Sequence, residues 1–115
     1  MLDLRQLILK IQEQKQMKAN LSLEFDCEID TADPKPLVKV INYIINYLQA
    51  LTDNAIEISL NAHRSGYMIG FAVFTDKTDL PALSDQLNEA LQVYNASVEQ
   101  THEEGKFVRI IITFA

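Results

Sequence analysis

Two histidines, one cysteine and a few close-set polar side chains are the groups in this chain that could do chemistry. His63 precedes Arg64-Ser65-Gly66 and His102 precedes Glu103-Glu104-Gly105, so both fall where turns are expected. A histidine that accepts a phosphoryl group sits on an exposed helix of a bundle, and neither has that setting; both read as loop histidines. The lone Cys27 has no partner for an internal disulfide and stands at an inward position of an alternating segment, which makes it a small buried hydrophobe. Glu24, Asp26 and Glu28 share the other side of that segment, a row that could meet a cation but that alternation alone explains. Asn42 and Asn46 lie four apart on a helical segment, where a solvated helix face accounts for them. Glu103 and Glu104 read as turn solvation rather than as an acid–base pair. There is no nucleophile elbow, paired-cysteine motif or His-x-x-x-His. We therefore expect no catalytic residue, no metal site and no cofactor, and read the chain as not an enzyme.

The elements that position these side chains are expected in one domain spanning 1–115, a length sufficient to bury a core. The formal charge of −6, with ten Lys and Arg residues scattered singly, argues against nucleic acid, which needs a concentrated basic surface. The amino terminus lacks a basic and apolar leader, and no stretch approaches a membrane span. A cytoplasmic protein without membrane contact is expected, consistent with its single cysteine.

Leu4, Leu7, Ile8 and Ile11 recur at helical spacing and predict a helix over 2–18. The period then changes to two: Leu21, Leu23, Phe25, Cys27 and Ile29 alternate with polar residues, as expected of a half-buried strand with a wet acidic face. Asp33 and Pro34 start a helix to about Leu51, with Leu37, Val40, Ile41, Ile44, Ile45, Leu48 and Leu51 on one face. Asn42 and Asn46 fall roughly opposite that face, and Tyr43 and Tyr47 on its flank. Strands are predicted over 56–62 and 67–75, the second apolar on both sides and joined to the first by a turn with Gly66. A helix from Leu80 to about Val93 and two strands, 94–101 and 107–114, close the chain. The order α-β-α-β-β-α-β-β predicts an α+β two-layer sandwich of about five mainly antiparallel strands with helices on one face.

That order, and several local phrases, resemble the ATP-binding domain of histidine-kinase-like (GHKL) ATPases over nearly the whole chain. Asp33-Pro34-Lys-Pro-Leu37-Val-Lys-Val40-Ile41 resembles the start of that family's asparagine-bearing helix. Asn54-Ala-Ile-Glu-Ile-Ser-Leu60 with Met68-Ile-Gly-Phe-Ala-Val73 resembles its central hairpin, and Glu104-Gly105-Lys106 with Phe107 to Phe114 its closing one. The family's Mg²⁺-binding asparagine sits on the long helix. With Asp33-Pro34 setting the register, Tyr43 and Tyr47 occupy the two asparagine positions; one residue earlier, Asn42 and Asn46 do. The family's Asp-x-Gly-x-Gly should follow the third strand, where this chain has Thr75-Asp76-Lys77-Thr78-Asp79 without glycine. The later glycine-rich box and lid are expected to be missing too, with Leu80-Pro-Ala-Leu running straight into a helix. Backbone N–H groups cradle phosphates at an approach that a Cβ blocks, so the resemblance implies a degenerate member that has lost ATP binding. Its vestigial pocket would comprise Asn42, Tyr43, Asn46, Tyr47, Thr75 and Asp76.

What remains is surface. The third and last strands carry a second apolar row, with Met68, Phe74, Phe107 and Ile111 as candidates for interaction. Either the first helix or another chain should cover it. The reading is a protein-interaction or regulatory module, in bacterial signalling by analogy and partnered by a protein or by itself as a homodimer. The alternative is a small-ligand or nucleotide binder using a remodelled pocket beside Asn42, Asn46 and Asp76.

Overall fold

A short strand β1 (Leu2–Asp3) leads into helix α1 (Leu4–Lys15) in the computed structural model, which describes Met1–Ala115. Asp3 caps the helix by accepting the Gln6 N–H at 3.2 Å, and Gln16 stops it by turning left-handed at φ 49°. These caps make it shorter than the 2–18 expected from periodicity. The alternating segment after it splits in two. Strand β2 (Ala19–Leu23) ends early, Asp26 swings to φ 61°, and β3 (Glu28–Ile29) pairs antiparallel with β1 instead. Phe25, expected inward, is 71% exposed, with the Arg5 guanidinium 4.2 Å from its ring centroid. Cys27 is buried outside any strand, its carbonyl accepting the Leu4 N–H at 2.9 Å.

Helix α2 (Lys35–Gln49) buries Leu37, Val40, Ile41, Ile44, Ile45 and Leu48, the apolar face its spacing predicts. Strands β4 (Ile56–His63) and β5 (Gly66–Phe74) form a hairpin. Its turn needs glycine: Gly66 has φ 153°, and a Cβ there would lie 1.9 Å from the Phe114 carbonyl oxygen. Helix α3 (Gln86–Leu91), extended by a 3₁₀ turn over Gln92–Tyr94, starts later than expected because residues 75–85 form a loop. Strands β6 (Ala96–Glu103) and β7 (Phe107–Phe114) end the chain.

The main sheet has five strands in the order β2-β4-β5-β7-β6. The β2–β4 pair is parallel and the other pairs antiparallel. The fold is therefore the α+β layered arrangement expected, with one parallel pair at the edge. Register places Ile56, Ile58 and Leu60 on the same side as Ile69, Phe71, Val73, Val108, Ile110, Ile112 and Phe114, and all of these are buried. Leu4, Ile8 and Ile11 of α1 join the same core of 25 residues. Thus α1 does not fold across the second face, and its apolar stripe is already used. No helix is long and apolar enough to cross a membrane.

Ile44, 0% exposed, belongs to the buried core between α2 and the sheet. Ile44→Ala should cost about 2–5 kcal/mol in denaturant titration, against a small effect for the half-buried Asn42→Ala. Equal losses would contradict this placement of α2.

Candidate functional site

The flank of α2 that faces the 75–85 loop carries tyrosines. Tyr43 OH accepts the Ser84 N–H at 3.1 Å; Tyr47 OH donates to the Pro81 carbonyl at 2.5 Å and accepts Gln100 Nε2 at 2.9 Å. Two phenols thus pin the loop to the helix. Asn46 points elsewhere, its Oδ1 accepting Lys15 Nζ of α1 at 3.1 Å. None of the five main surface clefts is lined by Asn42, Tyr43, Asn46 or Tyr47.

Thr75 and Asp76 lie at the far end of α2. Thr75 is buried; its Oγ1 donates to the Leu51 carbonyl at 2.9 Å and accepts the Lys77 N–H at 3.2 Å, while Lys77 Nζ reaches the Ala50 carbonyl at 3.1 Å. These bonds satisfy carbonyls that the helix end leaves free. Asp76 opens on a cleft of ≈ 540 Å³ shared with Leu51, Asp53, Asn54, Phe74 and Lys106. The six pocket candidates therefore do not form one site: Tyr43 and Tyr47 bind the 81–84 backbone, Asn46 meets Lys15 of α1, and Thr75 and Asp76 lie beyond the end of α2. The loop over 75–85 stands where Leu80-Pro-Ala-Leu was expected to run straight into a helix.

The other end of α2 is held by a residue that periodicity did not single out. Tyr94 OH accepts the Leu37 N–H at 3.0 Å and donates to the Asp33 carbonyl at 2.8 Å, while the Asp33 carboxylate accepts the Lys35 N–H at 3.0 Å. Burial is the main cause that pushes the Tyr94 phenol up from 10.0; the Leu37 N–H pulls it down and the Asp33 charge raises it further. The Cys27 thiol is also raised, by burial first and then by Glu24, Asp3 and Asp26. His63 Nδ1 and Ser65 Oγ lie 3.3 Å apart on the surface, and His102 is exposed near the β6–β7 turn.

The sheet's second face is uncovered. Met68, Gly70, Ala72 and Phe74 of β5 lie beside Thr113, Ile111, Arg109 and Phe107 of β7, in register order. Phe74 is 65% exposed. A depression of ≈ 310 Å³ lies over Gly70, with Met68, Ala72 and Ile111 on its apolar side and Asn20, Ser22, Glu57, Ser59, Asn61 and Arg109 making the rest polar. A second hollow of ≈ 220 Å³ lies between Phe74, Phe107, Glu57 and Arg109. The sequence gives the apolar residues of this face; the notch at Gly70 and its charged rim emerge from strand pairing, and a glycine inside a strand is the signal for it.

The fold is that of histidine kinase ATP-binding domains. The histidine kinase AdeS of Acinetobacter baumannii superposes with a TM-score of 0.72 at 11% identity, over 98% of this chain and 64% of its own. The catalytic domain of histidine kinase ThkA matches with a TM-score of 0.64 at 16% identity, over 98% of this chain and 94% of its own. The histidine kinase domain of the E. coli osmosensor EnvZ gives 0.66 at 10%, over 96% and 84%. No protein-family profile and no curated protein matches the sequence. These matches correct the reading of the chain as not an enzyme: its fold is that of catalytic domains of kinases, and the absence of local motifs does not exclude it from them.

Tyr94→Phe should cost about 1–3 kcal/mol at neutral pH, because the buried Leu37 N–H loses its acceptor. With the folded phenol raised above 10.0, unmodified protein should hold its Tyr94-linked stability below that pH and lose it as pH rises further. The variant should show a smaller alkaline loss in denaturant titrations; an identical pH profile would contradict the capping role.

Proposed function

We propose that this chain is a signalling module that works by docking other proteins, on the histidine-kinase ATP-binding fold, with its nucleotide cleft shut. The observation that carries the reading is the helix-free sheet face, where Met68, Phe74, Phe107 and Ile111 stand around the Gly70 notch. An antiparallel sheet with only one buried face ordinarily shows water a polar second face. An apolar row with a hollow and charged rim is the anatomy of a protein contact, in which one inserted side chain fills the notch and the rim charges orient it. Arg109 and Glu57, on opposite sides of Ala72, offer both signs of charge to such a partner.

A shut cleft follows from the tyrosines. In the register set by Asp33-Pro34, Tyr43 and Tyr47 stand at the helix positions that the resemblance assigns to asparagines, and their hydroxyls hold the 81–84 backbone against the helix. The Thr75-Asp76-Lys77-Thr78-Asp79 segment and the loop after it hold no glycine to bring backbone N–H groups close to phosphates. Self-association belongs to the same reading; with α1's stripe used in the core, the open face and the sheet edges are left for it.

Calorimetric titration with Mg-ATP should show no binding; a dissociation constant below roughly 100 µM, about −5.5 kcal/mol, would contradict the shut cleft. Ile111→Glu and Phe74→Glu should stay folded and lose a partner retained by the unmodified protein and by a control change at Glu13. Retention by both face variants would move the docking site elsewhere.

A further inference from the structure

β2 and β6 are the outer strands of the sheet, and their edges are finished differently. On β6, Asn88 of α3 accepts the outward Val98 N–H at 2.8 Å, and Glu99 and Glu103 charge the strand. Such devices keep an edge from pairing with another chain. β2 has none of them: Ala19-Asn-Leu-Ser-Leu23 contains no charge and no proline.

Backbone bonds fix which residues of β2 face outward. The Lys18 carbonyl accepts the Ile56 N–H at 3.2 Å, and the Glu24 N–H donates to the Leu60 carbonyl at 3.0 Å. In a parallel ladder this turns the backbone of Asn20 and Ser22 to β4, and leaves the N–H and C=O groups of Ala19, Leu21 and Leu23 on the free edge. The side chains of those three residues point to the helix side, yet Leu21 and Leu23 remain only half-buried, while their register partners Ile58 and Leu60 are 2% and 0% exposed. The edge's outward N–H and C=O groups have no backbone partner, and its leucines, packed against the core on one side, keep an exposed flank.

We propose that β2 pairs antiparallel with β2 of a second copy, about a two-fold axis through Leu21, joining two sheets into one. This names the interface for the self-association proposed above and rests on it. With the axis at Leu21, Ala19 faces the partner's Leu23, Asn20 faces the partner's Ser22, and Lys18 faces the partner's Glu24. The strand is thus complementary to its own reversed copy, in hydrogen bonding, in size and in charge. About six backbone hydrogen bonds form, and the leucines cover one another. Two Lys–Glu pairs offset part of the repulsion between chains of formal charge −6. A two-fold contact closes on itself, and the guarded β6 edge keeps the dimer from extending. An edge contact buries less than the roughly 800 Å² per partner of a stable interface, so the association is weak and concentration-dependent. It also sets the two open faces side by side on one continuous surface.

Sedimentation equilibrium should show the dimer fraction of unmodified protein rising between about 10 µM and 1 mM, the range for weak contacts. Lys18→Glu, which sets Glu against the partner's Glu24, should weaken association at least tenfold. Leu21→Pro, which removes an outward N–H from an edge strand, should abolish it while circular dichroism stays native; should that variant misfold, Lys18→Glu decides alone. Mild oxidation of an equimolar mixture of Asn20→Cys and Ser22→Cys proteins should yield a disulfide-linked mixed dimer, and neither protein alone should crosslink as well. A protein that stays monomeric throughout overturns both self-association and the edge. A dimer that is unaffected by Lys18→Glu and gives no preferential mixed crosslink overturns the edge and leaves self-association standing.

Discussion

One-sided packing of helices on the sheet governs this molecule. α2 presses its isoleucines and leucines onto alternate residues of β4, β5 and β7, and α1 and α3 add Leu4, Ile8, Ile11, Leu87 and Leu91 to the same side. Because side chains alternate along a strand, filling that layer decides the fate of every other residue in the sheet. The residues left over have no helix to meet them. Exposure of Phe74 and of the apolar row beside it follows from that arrangement.

The same packing explains why α2 needs both ends tied. A helix fixed only by its apolar stripe leaves orphan N–H and C=O groups at its termini. Tyr94 meets the need at the start, and Thr75 with Lys77 at the finish. Between them Tyr43 and Tyr47 bind the loop that follows β5. Structural support is thus placed along the flank of the helix that carries Tyr43 and Tyr47. A shut cleft and a rigid helix are one arrangement in this reading.

Elements with long, regular periods were legible in the sequence: α2, β4, β5 and β7 stand where the spacing of Ile, Leu and Val placed them, since burial on one side imposes that spacing. Elements whose limits depend on distant partners were not. Phe25 continues an alternating pattern, but Leu2 and Asp3 capture Ile29 and Glu28, and Arg5 takes the ring outside. α3 starts at Gln86 because tyrosines some forty residues earlier hold the loop before it (41 positions for Tyr43 and Ser84). The apolar row of the candidate surface was readable from β5 and β7. Its notch, its charged rim and the free edge of β2 depend on strand order, which no local pattern encodes.

The most direct test of the shut cleft is amide chemical-shift mapping with magnesium and a non-hydrolysable ATP analogue. With the cleft shut, the signals of Leu83, Ser84, Tyr43 and Tyr47 should keep their positions up to millimolar ligand. Saturable shifts clustered on those residues would show the loop opening to admit a nucleotide, and would contradict a shut cleft.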